Sequence, residues 1–210
     1  MTDKKDMAET LRSVRQSYYF LHQFQLRLRD TIERFRKEFG DMKFSFSRSL
    51  LRDNPAFKSD PHTDKYQIDL FPAYYYTITY EILNQDKPPM LFEIVFHVDT
   101  EFYDVEADEF HADEKDSLTR LKVYFWMQTD IEAADFNWRN MWNAADDYPE
   151  AFDKNSNGEG ADKYKKLGVK CMGVWLNLED LLDEQSISNE AGRVKALVKE
   201  NMGYAFDGAS

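Results

Sequence analysis

The sequence predicts an α+β protein: an antiparallel β-sheet packed against a long N-terminal helix, with C-terminal helices completing the core. Three observations carry that prediction. The first 39 residues repeat apolar side chains at helical three–four spacing. The middle of the chain then switches to a period of two. Helix-capping signals return after residue 128. A helix, a run of strands and then helices is the element order of an antiparallel sheet covered by helices. At 210 residues, the chain is read as one domain over 1–210. The long helix spans 7–39, mainly antiparallel strands fill 40–128, and helices plus one strand fill 129–210.

The helix over 7–39 opens on a capping box, Asp6 with Glu9, and closes at Gly40. Its seam runs Leu11, Val14, Tyr18, Leu21, Gln25, Leu28, Ile32, Phe35, Phe39, a heptad pattern broken only by Gln25. At 1.5 Å per residue it is about 50 Å long. Two readings follow from that seam. Either the helix lies across the sheet as core, or part of it meets a partner helix, with Gln25 setting register. Tyr19, Phe20 and Phe24 widen the apolar stripe and favour the first.

After Gly40, Phe44 and Phe46 alternate with Ser45 and Ser47, predicting a strand with one wet face. Asn54-Pro55 and Asp60-Pro61 mark a loop. Strands follow at 66–71, 74–83 and 90–98, the last two joined by turn residues as a hairpin. A strand at 120–128 places Leu121, Val123, Phe125 and Met127 on one face. Thr129 and Glu132 then cap a helix over 131–145, with Trp138, Met141 and Trp142 on its apolar side. Residues 148–166 read as polar loop. Residues 169–176 read as a buried strand, and 188–202 as a closing helix with Val194, Leu197 and Val198 inward.

Charge is the least ordinary feature. The chain holds 39 acidic and 27 basic side chains, a formal net charge of −12. Residues 1–50 are net positive, whereas 99–162 carry 18 of the acids against five bases. That balance disfavours non-specific nucleic-acid binding, since phosphates require Lys and Arg. No apolar run approaches the roughly 20 residues needed to span a bilayer, and the charged start is unlike a secretion signal. One cysteine, Cys171, allows no internal disulfide and no multi-cysteine zinc site. A cytoplasmic protein without membrane partners is expected. Phosphate-loop, nucleophile-elbow and H-E-x-x-H patterns are absent, and no catalytic residue is assigned.

Three constellations remain. On the strand after the hairpin turn, Glu93, Val95, His97, Asp99 and Glu101 alternate onto one face. His97, Asp99 and Glu101 are a ligand set that Mn²⁺ or Mg²⁺ accepts, as a metal-dependent phosphodiester hydrolase requires. Glu93 or Lys122 would assist. The plain alternative is the solvated face of an amphipathic strand.

The second constellation is the acid run 99–116, nine acids opposed only by Lys115. Asp104, Glu106, Asp108, Glu109, Asp113, Glu114 and Asp116 are its candidate partner-binding residues. Like charges this dense repel one another unless they are solvated or meet a cationic surface. The third is Asp153, Asn155, Asn157 and Gly158, the opening half of a calcium loop. Its closing glutamate is missing, because Tyr164 stands there.

The favoured reading is a protein-binding module docking on a basic protein surface, such as that of a nucleic-acid-binding protein it would inhibit. It requires no cofactor, and a divalent metal enters only with the rival reading, the hydrolase. The second rival is an oligomeric structural protein, a homo-oligomer assembled through residues 7–39.

Overall fold

In this computed structural model the described residues are 4–49, 75–82, 87–97, 103–104, 109–110, 119–129 and 168–206. The predicted class is observed: an N-terminal helix, a five-stranded antiparallel sheet and a C-terminal helix.

Helix α1 spans Lys4–Lys37. It is already helical at Lys4, so Asp6 lies inside it and is not the cap that the Asp6–Glu9 spacing suggests. At the other end the amides of Phe39 and Gly40 donate to the Arg36 and Lys37 carbonyls at 3.0 and 3.1 Å. These i→i−3 bonds tighten the last turn. Gly40 follows at φ 95°, in the left-handed region where a side chain would strain the backbone.

The strands are β1 (Lys43–Ser49), β2 (Tyr75–Ile82), β3 (Met90–His97), β4 (Tyr103–Asp104), β5 (Glu109–Phe110), β6 (Arg120–Gln128) and β7 (Val169–Asn177). The large sheet has the order β1-β2-β3-β6-β7, every neighbouring pair antiparallel. Strands β4 and β5 form a separate small ladder. The expected strands at 74–83, 90–98, 120–128 and 169–176 thus coincide with β2, β3, β6 and β7. The expected strand at 66–71 and the helix over 131–145 lie outside the described residues.

Register explains the core. Tyr80, Phe92, Phe125 and Met172 stand in one cross-strand row, and Ile78, Ile94, Val123 and Val174 in the next. Both rows face the helices. Leu28, Ile32 and Phe35 of the inner half of α1, with Phe39 just past its end, pack on them. Phe39 is the hub, its ring centroid 5.1–5.6 Å from those of Phe35, Phe92, Phe125 and Phe206. Each such fully buried side chain contributes on the order of 2 kcal/mol.

Helix α2 (Glu184–Met202) closes the same side with Ile187, Ala191, Val194, Val198 and Met202. It begins four residues before the expected 188. Asp183 accepts from the Ser186 amide at 2.8 Å, and the Asp183 amide donates to Ser186 Oγ at 3.0 Å. This reciprocal cap uses Ser where the familiar pattern has Glu or Gln, so the spacing conceals it. Gly203 ends α2 at φ 73°.

Two expectations about β-faces fail. Phe44 and Phe46 do not share a face, because the β1–β2 register shifts between them. The extra residue, Ser45, turns Phe46 onto the sheet side opposite the helices and Ser47 toward them. The Thr79 hydroxyl fills the bulge: it donates to the Phe46 carbonyl at 2.8 Å and accepts from the Phe46 amide at 3.2 Å.

The second failure is larger. The alternate face of the sheet, expected to be wet, is buried: Thr77, Thr79, Leu91, Glu93, Val95, Tyr124, Trp126 and Cys171 are all withdrawn from water. Helix α2 does not cover it, since α2 packs on the other face.

Candidate functional site

The second face is built in rows. Thr79, Glu93, Tyr124 and Gly173 stand opposite one another across β2, β3, β6 and β7, flanked by the rows Glu81–Leu91–Trp126–Cys171 and Thr77–Val95–Lys122–Trp175. Glu93 is therefore central, on the middle strand of five and completely buried. A bare buried carboxylate is costly, so its oxygens require donors. Thr77 Oγ1 donates to Oε1 at 2.6 Å, and Trp126 Nε1 donates to Oε2 at 2.9 Å. Both donors sit diagonally across the ladder, within reach of long side chains. The short Thr77 bond has the length of a hydroxyl donating to an ionised acceptor.

Cys171 lies opposite Trp126 in the same region. Burial pushes its thiol well above the ordinary value, and the Glu93 charge adds to that shift. Buried and with its pKa raised, the thiol has little of the thiolate character a nucleophile requires.

Toward the Asn177 end of β7 the face becomes cationic. The Lys122 ammonium stands 4.1 Å from the Trp175 ring centroid, and the Arg120 guanidinium 5.4 Å from it. Burial lowers the Lys122 pKa, and the neighbouring Arg120 lowers it further. The indole face provides an attraction that offsets part of the repulsion between the two cations.

Of the metal candidates, His97 closes β3, with Arg120 as its register partner. Asp99 and Glu101 lie outside the described residues, as do Asp153, Asn155 and Asn157. Among the described residues no three His, Cys, Asp or Glu side chains come together as a metal site. Of the acid run, Asp104 and Glu109 fall in the β4–β5 ladder, directly opposite each other. Glu106, Asp108, Asp113, Glu114 and Asp116 lie outside the described residues.

The feature that sequence reasoning undervalued is the outer half of α1. Every residue from Met7 to Gln23 is exposed. Among them are Met7, Leu11, Val14, Tyr18, Tyr19, Phe20 and Leu21, with Tyr18 69% exposed. The same seam is buried from Leu28 onward, where Ile32 and Phe35 are fully enclosed. The signal was present in the length. A helix of about 50 Å exceeds the width of a five-stranded sheet, roughly 20–25 Å at the ordinary strand spacing. One end had to overhang.

Among the described residues, no helix is long and apolar enough to cross a membrane. No curated protein and no solved structure matches the sequence. A family match does exist: residues 4–203, nearly the whole chain, fit PM0109, and the chain belongs to that family.

Proposed function

We propose that this chain is a protein-binding module whose apolar contact element is the outer half of α1. One observation carries the reading. Seven large apolar side chains within 15 residues stand in water on a helix whose continuation is core. Single exposed apolar residues are commonplace, but a contiguous apolar patch marks an interaction surface.

The acid run 99–116 supplies the second element, steering the module toward a basic partner surface. In the β4–β5 ladder Asp104 is paired with Glu109. Inhibition of a nucleic-acid-binding protein is one form such docking would take.

The test is a two-component binding assay with a partner captured at low salt and then purified. Neutralising Asp104, Glu106, Asp108 and Glu109 to Asn or Gln should slow association and remove most of its salt dependence. Placing Asp at Leu11 and Tyr18 should weaken binding at every salt concentration. Unchanged affinity in the helix variant would refute the role given to α1.

The hydrolase reading keeps one supporting observation, the buried Glu93 on the same sheet face as the cationic Lys122 and Arg120. A screen of the purified chain with Mn²⁺ against phosphodiester substrates tests it, and turnover abolished by His97→Ala would favour it over binding.

A further inference from the structure

We infer that the outer half of α1 is covered by the same segment of a second copy, the two helices running antiparallel about a twofold axis near residue 16. This rests on the binding role proposed above for that segment and names its partner.

Seam phase is the first argument. Leu28, Ile32, Phe35 and Phe39 meet the chain's own core, and Met7, Leu11, Val14, Tyr18 and Leu21 prolong the same heptad toward the N-terminus. The side of the helix that needs covering is the side the sheet covers farther along. A parallel partner would drive its own continuation past residue 28 into the space the sheet already fills. An antiparallel partner points its N-terminus toward the sheet and leaves its own body beyond the far end. Each seam is then covered along its whole length, first by its own core and then by the other helix.

Register is the second argument. Antiparallel pairing sets a positions against d positions. Centring the axis near residue 16 puts Met7 against Gln25 of the second copy, Leu11 against its Leu21, and Val14 against its Tyr18. Each layer repeats by symmetry, as an isologous contact requires. The central layers set a small side chain against a large one. The polar Gln25 ends the apolar series where the protein body begins.

Area is the third. The five seam side chains are each 38–69% exposed, on average roughly 100 Å² apiece. Counted over both copies this is on the order of 1,000 Å², the lower bound for a specific interface. A helix end of about 20 residues without tertiary cover is marginal on its own. Tyr19 and Phe20 stand off the seam and stay available to a different protein.

Charge supplies a signature. In this register the two exposed Arg15 side chains fall beside the axis, so added salt should strengthen self-association. Docking of the acid run on a basic partner would weaken instead.

The experiment uses the full chain. Cys171 is the chain's only cysteine and is buried, so introduced thiols report alone. Leu11→Cys and Leu21→Cys chains are oxidised separately and as a mixture, with circular dichroism confirming that both fold. The expected result is a disulfide-linked product at twice the 24.9 kDa chain mass in the mixture only, with sedimentation of the unmodified chain showing a dimer that tightens with salt. Efficient cross-linking of either variant with itself would overturn the antiparallel arrangement. A monomer at every concentration would overturn the second copy as occupant, as would recruitment of that monomer to vesicles of anionic lipid. In that case the protein-binding reading is judged separately, by whether Asp at Leu11 and Tyr18 weakens the purified two-component complex.

Discussion

Replacing Thr77 by Val tests whether the Glu93 network holds the sheet together. The two side chains have nearly the same shape, so the change creates almost no cavity. It removes one thing, the hydroxyl that donates to Glu93 Oε1 at 2.6 Å. Thr77 and Glu93 are both fully buried, so water cannot replace the lost donor cheaply. A hydrogen bond to a charged group is worth about 1.5–3 kcal/mol, and that is the expected loss. Urea unfolding of the full chain, followed by tryptophan fluorescence, measures it. With a slope of about 2–3 kcal/mol per molar, the midpoint should fall by roughly 0.5–1.5 M. Ser45→Ala is the control, since its bond to Glu81 at 3.0 Å is only partly buried; its cost should stay below about 1 kcal/mol. Combining Thr77→Val with Glu93→Gln should give a coupling of about 1–2 kcal/mol. A Thr77→Val protein within about 0.5 kcal/mol of the parent, the range of an ordinary surface change, would refute the reasoning.

Two further outcomes follow from the ionisable groups. Cys171 should resist a thiol-modifying disulfide reagent at pH 8 in the folded protein and react fully once unfolded, because burial and then Glu93 raise its pKa well above the ordinary value; rapid native labelling would contradict its burial. Asp183 is held below its ordinary value of 3.8, first by the Ser186 amide and then by the Ser186 hydroxyl. A depressed carboxyl stabilises fully above its unfolded pKa, and that contribution disappears as pH falls through the folded value. Stability of the parent relative to Asp183→Ala should therefore be flat from pH 7 to about 5 and converge below pH 4. A difference unchanged down to pH 2 would show that the cap acts by shape alone.

What was legible in the sequence depended on how local the deciding physics was. Strand β6 was readable to the residue because Leu121, Val123, Phe125 and Met127 alternate without interruption. The helix-facing half of the core followed from the same alternation. The second face did not. Alternation says which residues share a face, not what lies on it, and Glu93 with Lys122 looked like solvated polarity. The composition of that face held a usable hint. Thr77, Thr79, Tyr124 and Trp126 are β-branched or aromatic, the residues of a packed pleated surface, whereas a solvated one would be richer in Lys and Glu. The bulge at Ser45 was invisible for another reason: it depends on Thr79, 33 positions from Phe46, filling the gap. At the candidate site, the seam of α1 was legible and its exposure was not, because burial depends on where the sheet ends.

The proposed pairing of α1 and the proposed docking of the acid run reinforce each other through charge. The first fifty residues are net positive, and the negative charge is concentrated in 99–162. A helix carrying that acid block on its own seam would repel a second copy. Keeping the acids off α1 leaves an apolar stripe on which only modest repulsion between arginines opposes association. Pairing then gives each assembly two acid runs instead of one. If both engage a basic surface, the second contact becomes intramolecular, and avidity rises by a factor set by geometry without any new kind of contact. The consequence is specific. Asp at Leu11 and Tyr18 should weaken binding to an extended or repetitive basic surface far more than binding to a small monomeric basic protein. Four acid neutralisations should weaken both, and the extended surface more, because each of its two contacts is weakened. Equal losses on the two surfaces for the helix variant would separate the roles of the two elements and leave α1 as a direct contact with the partner.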